Sequence, residues 1–141
     1  MEDCIFCKII KGEIPSSKIY EDDKVLAFLD ANPINRGHIL IIPKVHQQFI
    51  TDLDDLFLEK MIIIAKKINK ALRESEIKPE AVNLLLSDGE VAGQEIFHSH
   101  LHVIPRFKED NFNFSFPSNE KPTKEDLDKV ATEIKQKLKS L

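Results

Sequence analysis

Short apolar runs separated by polar links dominate the first third of the chain. Segments 18–21, 25–30 and 38–42 are rich in aliphatic and aromatic residues, and the links 21–24 and 32–37 join them. Such runs, bounded by turn-forming residues, are typical of strands, and links this short pair neighbouring strands antiparallel. The third segment lacks polar alternation, so we expect both of its faces to be covered.

A longer periodic segment begins at residue 52. Its apolar residues recur every three or four positions, at 53, 57, 61, 64, 68 and 72, which is the period of a helix. Acidic residues at 52, 54 and 55 suit a helix N-terminus. The run 61–64 makes the middle apolar on more than one face, and such a helix is buried on two sides. We expect the second side to contact another subunit; the alternative is that the C-terminal tail of the same chain covers it.

The second half of the chain predicts two further strands and a terminal helix. Segment 81–87 is predicted as a strand, the loop 87–94 turns tightly through its two glycines, and 97–106 is predicted as another strand. Thr123 is expected to cap a helix. The apolar stripe of that helix consists of Leu127, Val130, Ala131, Ile134, Leu138 and Leu141. The pattern predicts an α+β fold, with an antiparallel sheet of about five strands, one long helix and a C-terminal helix.

Three of the five histidines alternate within the last predicted strand. Because strand side chains alternate between faces, His98, His100 and His102 share one face, and the aliphatic residues between and after them point to the other. A row of imidazoles is a poor core face, since each ring needs partners for two nitrogens and titrates near neutral pH. Pro105 cannot donate to a ladder and is expected to end the strand.

Three interpretations of this histidine row compete. A histidine-rich surface strand leaves the strict alternation unexplained. A metal-dependent hydrolase built on the row is the second, although a straight strand brings three rings poorly to one tetrahedral centre. The third is nucleophilic catalysis, in which the central ring attacks an electrophile while its neighbours orient it and handle the leaving group. Attack at phosphorus suits neutral imidazole, and the resulting phosphoramidate is labile to water.

Composition and charge narrow the function further. A chain of 141 residues suits a single domain, 1–141, and 42% hydrophobic with 31% charged residues is an ordinary globular balance. A net charge of −4 argues against non-specific binding to nucleic acid. No apolar stretch approaches membrane-spanning length, and Glu2 and Asp3 stand where a signal peptide has positive charge. We therefore predict a cytoplasmic protein that binds neither nucleic acid nor membrane.

Cys4 and Cys7 form a CxxC pair at the start of the chain. In an intracellular protein they are expected to be ligands or redox groups and not a structural disulfide. The residues alone leave open a thioredoxin-type motif, half of a zinc site, and two packed thiols.

Three segments together resemble the histidine triad superfamily of nucleotide hydrolases and transferases. They are the opening CIFCKIIKGEIPSSKIYEDDKVLAFLD, the middle NPINRGHILIIPKVH, and AGQEIFHSHLHVIPR with its His-x-His-x-His core. They have the order and spacing of that family and together cover about residues 3–107. The resemblance implies a family core over 1–108 and leaves 109–141 as a C-terminal extension with the terminal helix.

The resemblance implies hydrolysis or transfer at the α-phosphate of a nucleoside monophosphate conjugate, of the nucleoside phosphoramidate or dinucleoside polyphosphate type. His100 matches the family nucleophile, which forms a nucleotidyl-histidine intermediate. His102 would contact the phosphate and the departing atom, and His98 would orient His100. His38 matches a further family histidine beside the nucleophile; its alternative is a satisfied histidine at a strand start. The implied partner is a purine nucleotide or nucleotide conjugate, and the alternative function is a nucleotide-binding regulatory protein with little turnover.

Other positions match the nucleotide-binding residues of the family. Asp30 would meet the ribose hydroxyls, and the backbone around the second loop glycine would stabilise charge on the phosphoryl group. Two positions depart from the phosphoramidase branch, because Ser87 stands where Asn is usual and Glu95 stands where Ser is usual. The matched binding residues are Asp30, Ala31, Phe6, Ile9, Phe28, Ser87, Gly93, Gln94 and Glu95, of which Phe6, Ile9 and Phe28 would form the apolar part of the base pocket.

A metal site is also implied by the resemblance. Hexose-phosphate uridylyltransferases of the same superfamily hold a structural zinc with a CxxC, a later histidine and the first histidine of the triad. Carried over residue by residue, the ligands are Cys4, Cys7, His46 and His98. The resemblance therefore implies a structural zinc, no organic cofactor and, as in similar family members, a homodimer.

Overall fold

The computed structural model describes residues 3–117 and 119–141 and contains one antiparallel sheet in the order β1-β2-β3-β5-β4. The strands are β1 (Lys18–Glu21), β2 (Val25–Leu29), β3 (Ile39–Pro43), β4 (Ala81–Leu86) and β5 (Leu101–Arg106). The helices are α1 (Ile5–Ile10), α2 (Asp55–Glu74) and α3 (Lys124–Leu138), and short 3₁₀ turns occur at Ile50–Asp52 and Glu90–Ala92. The predicted α+β fold with five antiparallel strands is confirmed.

Helices cover both faces of the sheet, which is why β3 can be apolar throughout. Strand residues on one face pack against α2; this core includes Val25, Ala27, Ile39, Ile41, Leu101 and Val103 with Met61, Ile64, Ala65, Ile68 and Leu72. Strand residues on the other face pack against α1; this core includes Leu26, Phe28, Leu40 and Ile42 with Phe6 and Ile9. Every residue of β3 is buried, as expected from its sequence.

β5 is shorter than the predicted strand, because it begins at Leu101 and not at residue 97. The backbone N–H of Ser99 donates to the carbonyl oxygen of Gln47 at 2.7 Å, outside the ladder. β3 pairs only with residues 101–103 of β5. The segment that carries His98 and His100 is therefore held by the chain that follows β3 and not by sheet pairing.

The prediction that Pro105 ends the strand is wrong, because β5 runs through it to Arg106. The carbonyl oxygen of Pro105 accepts the Nδ2–H of Asn35 at 2.8 Å, on the β3 side and beyond the last β3 pair. The N and O atoms of a strand residue point to the same side. The N–H that proline lacks therefore falls where the ladder needs no donor.

The three triad histidines still lie on the α1 side of the sheet. His102 pairs in register with Leu40, which belongs to the α1-facing core. The ring of Phe6 in α1 lies 5.8 Å from the ring of His98 and 5.1 Å from that of His100, measured between centroids. The three rings thus share a side, although only His102 belongs to the strand.

The C-terminal helix α3 stands apart from the rest of the chain. It begins at the expected cap, where Oγ1 of Thr123 accepts the N–H of Asp126 at 3.2 Å. Every residue of α3 is exposed, including its apolar stripe. α3 therefore does not cover α2, contrary to that alternative, and Ile62 and Ile63 on the outer face of α2 are 52% and 50% exposed. None of the helices in the described ranges is long and apolar enough to cross a membrane.

Candidate active site

His100 lies at the centre of the site, directly before β5. Its Nδ1–H donates to the carbonyl oxygen of His98 at 2.7 Å, since a carbonyl can only accept. Its Nε2 has no hydrogen-bond partner within residues 3–117 and 119–141, and it is not sealed from solvent. Burial lowers the pKa of His100 below the ordinary histidine value, against the opposing effects of the His98 carbonyl and Asp30. The ring is therefore neutral near pH 7 and presents an unprotonated Nε2.

His102 and His38 continue the row beyond His100. The rings of His100 and His102 are 4.9 Å apart between centroids. Nε2 of His38 lies 2.9 Å from Nδ1 of His102, and Nδ1 of His38 accepts the N–H of Ile34 at 3.0 Å. Oδ2 of Asp30 lies 3.6 Å from the same Nε2 of His38. Burial, with smaller effects of the neighbouring rings, lowers the pKa of His102 to about 4, and burial also lowers the pKa of His38.

Four side chains that can ligate a metal meet between α1 and the triad. Sγ of Cys4 and Sγ of Cys7 lie 3.5 and 3.6 Å from Nδ1 of His98, and Nδ1 of His46 lies 3.3 Å from Sγ of Cys7. The Nε2–H of His98 donates to the carbonyl oxygen of Pro43 at 2.9 Å, which leaves Nδ1 free to ligate. Tetrahedral zinc, with bonds of about 2.3 Å to sulfur and about 2.0 Å to nitrogen, separates these atoms by roughly 3.5 Å. The donor set and its spacing therefore fit zinc.

Without a bound cation, the environment of this cluster favours the uncharged forms of the His98 ring and the Cys7 thiol. Burial lowers the pKa of His98 to about 4, against the opposing hydrogen bond to Pro43. Burial and the neighbouring Cys4 raise the pKa of the Cys7 thiol. His98 is therefore already in the neutral form that a metal requires, whereas Cys7 must lose its proton when the metal binds.

A second group of possible ligands, Asp30, His38 and His102, places three ligand atoms within 4.8 Å of one another. The hydrogen bond from Ile34 argues against a metal there. A histidine that ligates through Nε2 carries its proton on Nδ1, and that proton would face the N–H of Ile34, donor to donor. The group does not fit a metal ion, and it gives no support to a hydrolytic metal centre on the histidine row.

The loop 87–95 precedes the triad, and two of its backbone N–H groups bond within the loop. Gly89 and Gly93 have φ values of 112° and 95°, which glycine adopts without strain. The N–H of Gly93 donates to the carbonyl of Glu90 at 2.9 Å, and that of Gln94 donates to the carbonyl of Gly89 at 3.1 Å. Both N–H groups are therefore used within the loop, and stabilisation of phosphoryl charge by the backbone around Gly93 and Gln94 stays a prediction.

The side chain of Gln94 is structural. It is 2% exposed, and its Oε1 accepts the N–H of Gly89 at 2.8 Å. Its Nε2 donates to the carbonyl oxygens of Gln48 and Ile96 at 3.0 and 3.1 Å. Gln94 therefore ties the loop to the segment that follows β3 and has no side-chain donor left for a nucleotide.

Other predicted binding positions lie at the rim of the site. Ser87 is half-buried, and its Oγ lies 3.8 Å from the place that a Cβ on Gly93 would take, so it faces the loop. Ala31 and Glu95 are exposed. These three residues are accessible to a ligand beside the triad.

Phe6, Ile9 and Phe28 form the apolar floor behind the triad. Each is buried, and the rings of Phe6 and Phe28 meet edge to face with centroids 5.7 Å apart. Phe6 also contacts His98 and His100. Phe6 therefore contributes to the burial of His98 and His100, and burial is the main cause of their lowered pKa values.

Sequence reasoning missed the backbone groups that orient the imidazoles. Any residue type offers an N–H or a carbonyl, apart from the N–H of proline, so no side-chain pattern signals their use. Three of these groups bond an imidazole: the N–H of Ile34 donates to His38, the carbonyl of Pro43 accepts from His98, and the carbonyl of His98 accepts from His100. The carbonyl of Gln47 accepts the N–H of Ser99 and holds the segment that carries the rings.

Comparison with known proteins supports the family that the histidine row and the sheet indicate. The HIT domain model matches residues 11–109. The chain belongs to the histidine triad (HIT) family. This HIT protein is 43% identical to a HIT family protein from Bacillus anthracis. Superposition on the crystal structure of that protein gives a TM-score of 0.90 and covers 96% of this chain and 97% of that chain. The resemblance seen in the sequence is confirmed.

Other HIT proteins with more specific names are also similar. A histidine triad nucleotide-binding protein from Candida albicans is 37% identical, with a TM-score of 0.88 over 98% of this chain and 99% of that chain. A Zn-bound histidine triad family protein from Mycobacterium smegmatis is 38% identical, with a TM-score of 0.76 over 84% and 85% of the two chains. The adenylylsulfatase HINT3 of Arabidopsis thaliana is 44% identical over 108 residues, which are 77% of this chain and 54% of that protein.

Proposed function

We propose that this HIT protein hydrolyses or transfers nucleotides at the α-phosphate, with His100 as the nucleophile. The observation that carries the proposal is the state of His100. Its Nδ1–H is anchored on the carbonyl of His98, while its Nε2 is unprotonated and has no partner in the described part of the chain. A neutral imidazole held in this way is a ready nucleophile. The names of the Candida albicans and Arabidopsis thaliana proteins support a nucleotide substrate with an adenylyl group.

The proposed reaction has two displacements at phosphorus. Nε2 of His100 forms a bond to the α-phosphorus, and the bond from phosphorus to the leaving group breaks with its electron pair on the leaving atom. Water then attacks phosphorus, breaks the bond to nitrogen and releases the nucleoside monophosphate; a different acceptor gives transfer. The substrate class is a purine nucleoside monophosphate joined to an amine or to a second nucleotide, which is the phosphoramidate or dinucleoside polyphosphate type.

The ribose is proposed to bind at the end of β2. Oδ1 of Asp30 accepts the N–H of Asn32 at 2.9 Å, so one carboxylate oxygen caps a turn. Oδ2 keeps acceptor capacity for a ribose hydroxyl. Ala31, exposed and next in the chain, would then lie beside the base.

The phosphate is proposed to bind between the triad and the loop 87–95. Ser87 presents its hydroxyl to this loop. Because Gly93 and Gln94 use their N–H groups within the loop, we assign the backbone donor to Glu95, whose N–H takes part in no hydrogen bond among residues 3–117 and 119–141. A backbone N–H can serve the phosphate even where the Glu95 side chain points to solvent.

Zinc is proposed as a structural ion of this chain, with no organic cofactor. Cys4, Cys7, His46 and His98 would hold it, and the Zn-bound state of the similar Mycobacterium smegmatis protein supports the assignment. When bound, zinc supplies structural cross-linking, because its ligands come from α1, from the segment after β3 and from the triad. The chemistry at phosphorus stays with the histidines.

A homodimer is proposed through the outer face of α2. Leu56, Ile62 and Ile63 are 56%, 52% and 50% exposed on that face, and α3 of the same chain does not cover them. Three exposed apolar side chains within about two turns of one helix are typical of an interface between copies. A second copy of the chain packed on this face would bury these side chains.

Substitution of His100 tests the proposed function. Wild type and His100→Ala are incubated with adenosine phosphoramidates, dinucleoside polyphosphates and nucleotide sugars, and released nucleoside monophosphate is measured. We expect the variant to lose turnover and to keep its affinity for the nucleotide product. Mass spectrometry of quenched wild type should show a nucleotidyl adduct on His100. Wild-type protein that binds nucleotides but turns over none of these substrates would instead support the regulatory alternative.

A further inference from the structure

The apolar stripe of α3 is exposed along its whole length. The exposed fractions run from 52% at Leu127 to 101% at Leu141, with Val130, Ile134 and Leu138 between them. Helix α3 has only 15 residues, and a helix of that length is marginal in water unless its apolar face packs on another surface. The stripe therefore needs an apolar surface to pack on.

An open apolar groove lies on the α2 side of the sheet, between α2 and the strands β1 and β2. It has a volume of about 390 Å³. Its apolar lining includes Ile19 and Tyr20 of β1, Leu29 of β2, and Ile64, Ile68 and Leu72 of α2. Ile19 and Leu29 are 46% and 41% exposed. A groove of this kind is typical of a surface that receives another apolar element.

The stripe and the groove match in length. The α2 wall of the groove runs from Ile64 to the cap residue Ser75, and the stripe within α3 runs from Leu127 to Leu138. Each stretch spans 12 residues, which is roughly 17 Å along a helix. A helix laid along α2 would thus bury its stripe against the whole length of that wall.

The two surfaces also match in charge. Lys67 is the charged residue among those that line the groove, and it forms no ion pair within residues 3–117 and 119–141. Glu133 adjoins Ile134 at the border of the α3 stripe and forms no ion pair in the same ranges. A pair of opposite charges at the rim of an interface fixes its register more than its affinity.

A second copy of the chain is the occupant that covers both surfaces. Ile63, on the face of α2 proposed for the dimer, lies about one turn before Lys67, so the groove continues that face. Each chain contributes a stripe and a groove, and a two-fold exchange of α3 therefore fills both grooves and closes. Two α3 helices packed on each other would instead leave both grooves open.

We propose that α3 of one copy docks in the groove between α2 and the strands β1 and β2 of a second copy, which docks its own α3 in return. The inference rests on the homodimer within the proposed function and deepens it by naming a second contact. The outer face of α2 brings the copies together, and the exchange of α3 strengthens the dimer.

Matched substitutions on α3 and on the groove wall test the docking. Ile134→Glu places a charge in the middle of the stripe, and Gln136→Glu places the same charge on the opposite face of the same helix. Ala71→Glu places it on the α2 wall of the groove, at an exposed position. By sedimentation over a dilution series, we expect Ile134→Glu and Ala71→Glu each to raise the dimer dissociation constant about 10- to 100-fold and Gln136→Glu to leave it unchanged. An unchanged constant in Ala71→Glu, or an equal rise in Gln136→Glu, would overturn the docking.

Contacts between copies can be measured directly in wild type. The chain has a single tyrosine, Tyr20, and that residue lines the groove. Deuterated full-length protein with ¹³C-labelled Ile and Leu methyl groups is exchanged into dimers with deuterated protein that is protonated only at tyrosine. Isotope-filtered NOEs between methyl groups and the tyrosine ring then arise only between copies. We expect such contacts from the methyl groups of Ile134 and Leu138.

The outcomes separate the docking from the dimer itself. A wild-type dimer without these contacts would overturn the docking and leave the homodimer through α2 standing. Contacts of the α3 methyl groups with Tyr20 of their own copy, seen only when both labels are in one chain, would also overturn it. A wild type that sediments as a monomer would remove the docking and the homodimer together, while the turnover assay of His100→Ala tests the proposed reaction independently of both.

Discussion

The carbonyl oxygen of His98 accepts the Nδ1–H of His100 at 2.7 Å, while the ring of the same His98 faces the thiols of Cys4 and Cys7 at 3.5 and 3.6 Å. One residue thus connects the proposed zinc ligands to the proposed nucleophile. A metal ion that holds the ring of His98 also restricts its backbone, and with it the orientation of the His100 ring. We therefore expect loss of the metal to change both stability and catalysis.

Replacing one thiol tests this connection. Cys7→Ser removes a zinc ligand, so we expect a lower zinc content and a Tm lower by about 5 °C or more. We also expect kcat to fall more than KM changes, because a less ordered His100 attacks less often from the correct orientation. Zinc is measured by atomic absorption and Tm by circular dichroism. Chelator should lower the Tm of wild type to that of Cys7→Ser and leave the variant unchanged; a chelator-insensitive wild type that contains no zinc would contradict the prediction.

The buried histidines predict how stability depends on pH. Burial lowers the pKa of His98 and His102 from 6.5 to about 4, and the pKa of His38 and His100 is lowered too. Between pH 4 and 6.5 the unfolded chain therefore binds more protons than the folded protein, so the free energy of unfolding is lost as pH falls through this range. Urea unfolding at pH 7 and pH 5 is expected to show a loss on the order of 1–3 kcal/mol. His102→Asn should reduce the slope by about one proton, and a stability that rises toward pH 5 would contradict this explanation.

The same burial predicts the acid limb of the rate profile. His100 attacks only when its Nε2 is unprotonated, and burial holds the pKa of His100 below 6.5. We therefore expect kcat/KM to hold as the pH falls below that value and to decline only at lower pH. The measurement is a pH series with an adenosine phosphoramidate at constant ionic strength. An acid limb centred above 6.5 would show that the free enzyme stabilises a protonated His100, contrary to its buried environment.

Much of this site could be predicted from the sequence because side-chain patterns carry it. Alternation at 98, 100 and 102 predicts three rings on one side of the sheet, and the structure has them there. The CxxC pair and His46 come together with His98, although up to 94 positions separate the partners along the chain. That approach was implied by the family resemblance and not by spacing, since long-range contacts leave no local periodicity.

The remaining features depend on backbone groups, and these leave no trace in residue type. The N–H of Ser99 donates to Gln47 outside the ladder, so β5 begins only at Leu101, and the bond from Ile34 decides which nitrogen of His38 carries a proton. Gln94 illustrates the same point. Its position beside the triad predicts a ligand contact, but its side-chain amide already accepts the N–H of Gly89 and donates to two backbone carbonyls. A sequence motif predicts which side chains meet, but not which of their atoms are already used.

The apolar floor gives a prediction with a matched control. Phe6 is 5% exposed and packs edge-on against Phe28, His98 and His100, so Phe6→Ala leaves a cavity beneath the triad. We expect a loss of about 3–5 kcal/mol in the free energy of unfolding, together with a higher pKa for His100 as water enters. Phe116 is 88% exposed, so Phe116→Ala should change neither quantity. Urea unfolding and histidine titration by NMR measure both; equal effects of the two substitutions would show that Phe6 does not support the site.

The exposed face of α2 predicts the oligomeric state. Ile63 is 50% exposed there, and a charge at its position would be buried if a second copy packs on this face. We therefore expect wild type to sediment as a dimer and Ile63→Glu to sediment as a monomer with its α+β circular dichroism retained. Val91 is a fully exposed apolar residue on the loop beside the triad, so Val91→Glu introduces the same charge on another surface and should leave the dimer intact. A wild type that stays monomeric at concentrations well above those of the assay would contradict the homodimer. A dimer that survives Ile63→Glu would show that the two copies meet on another surface.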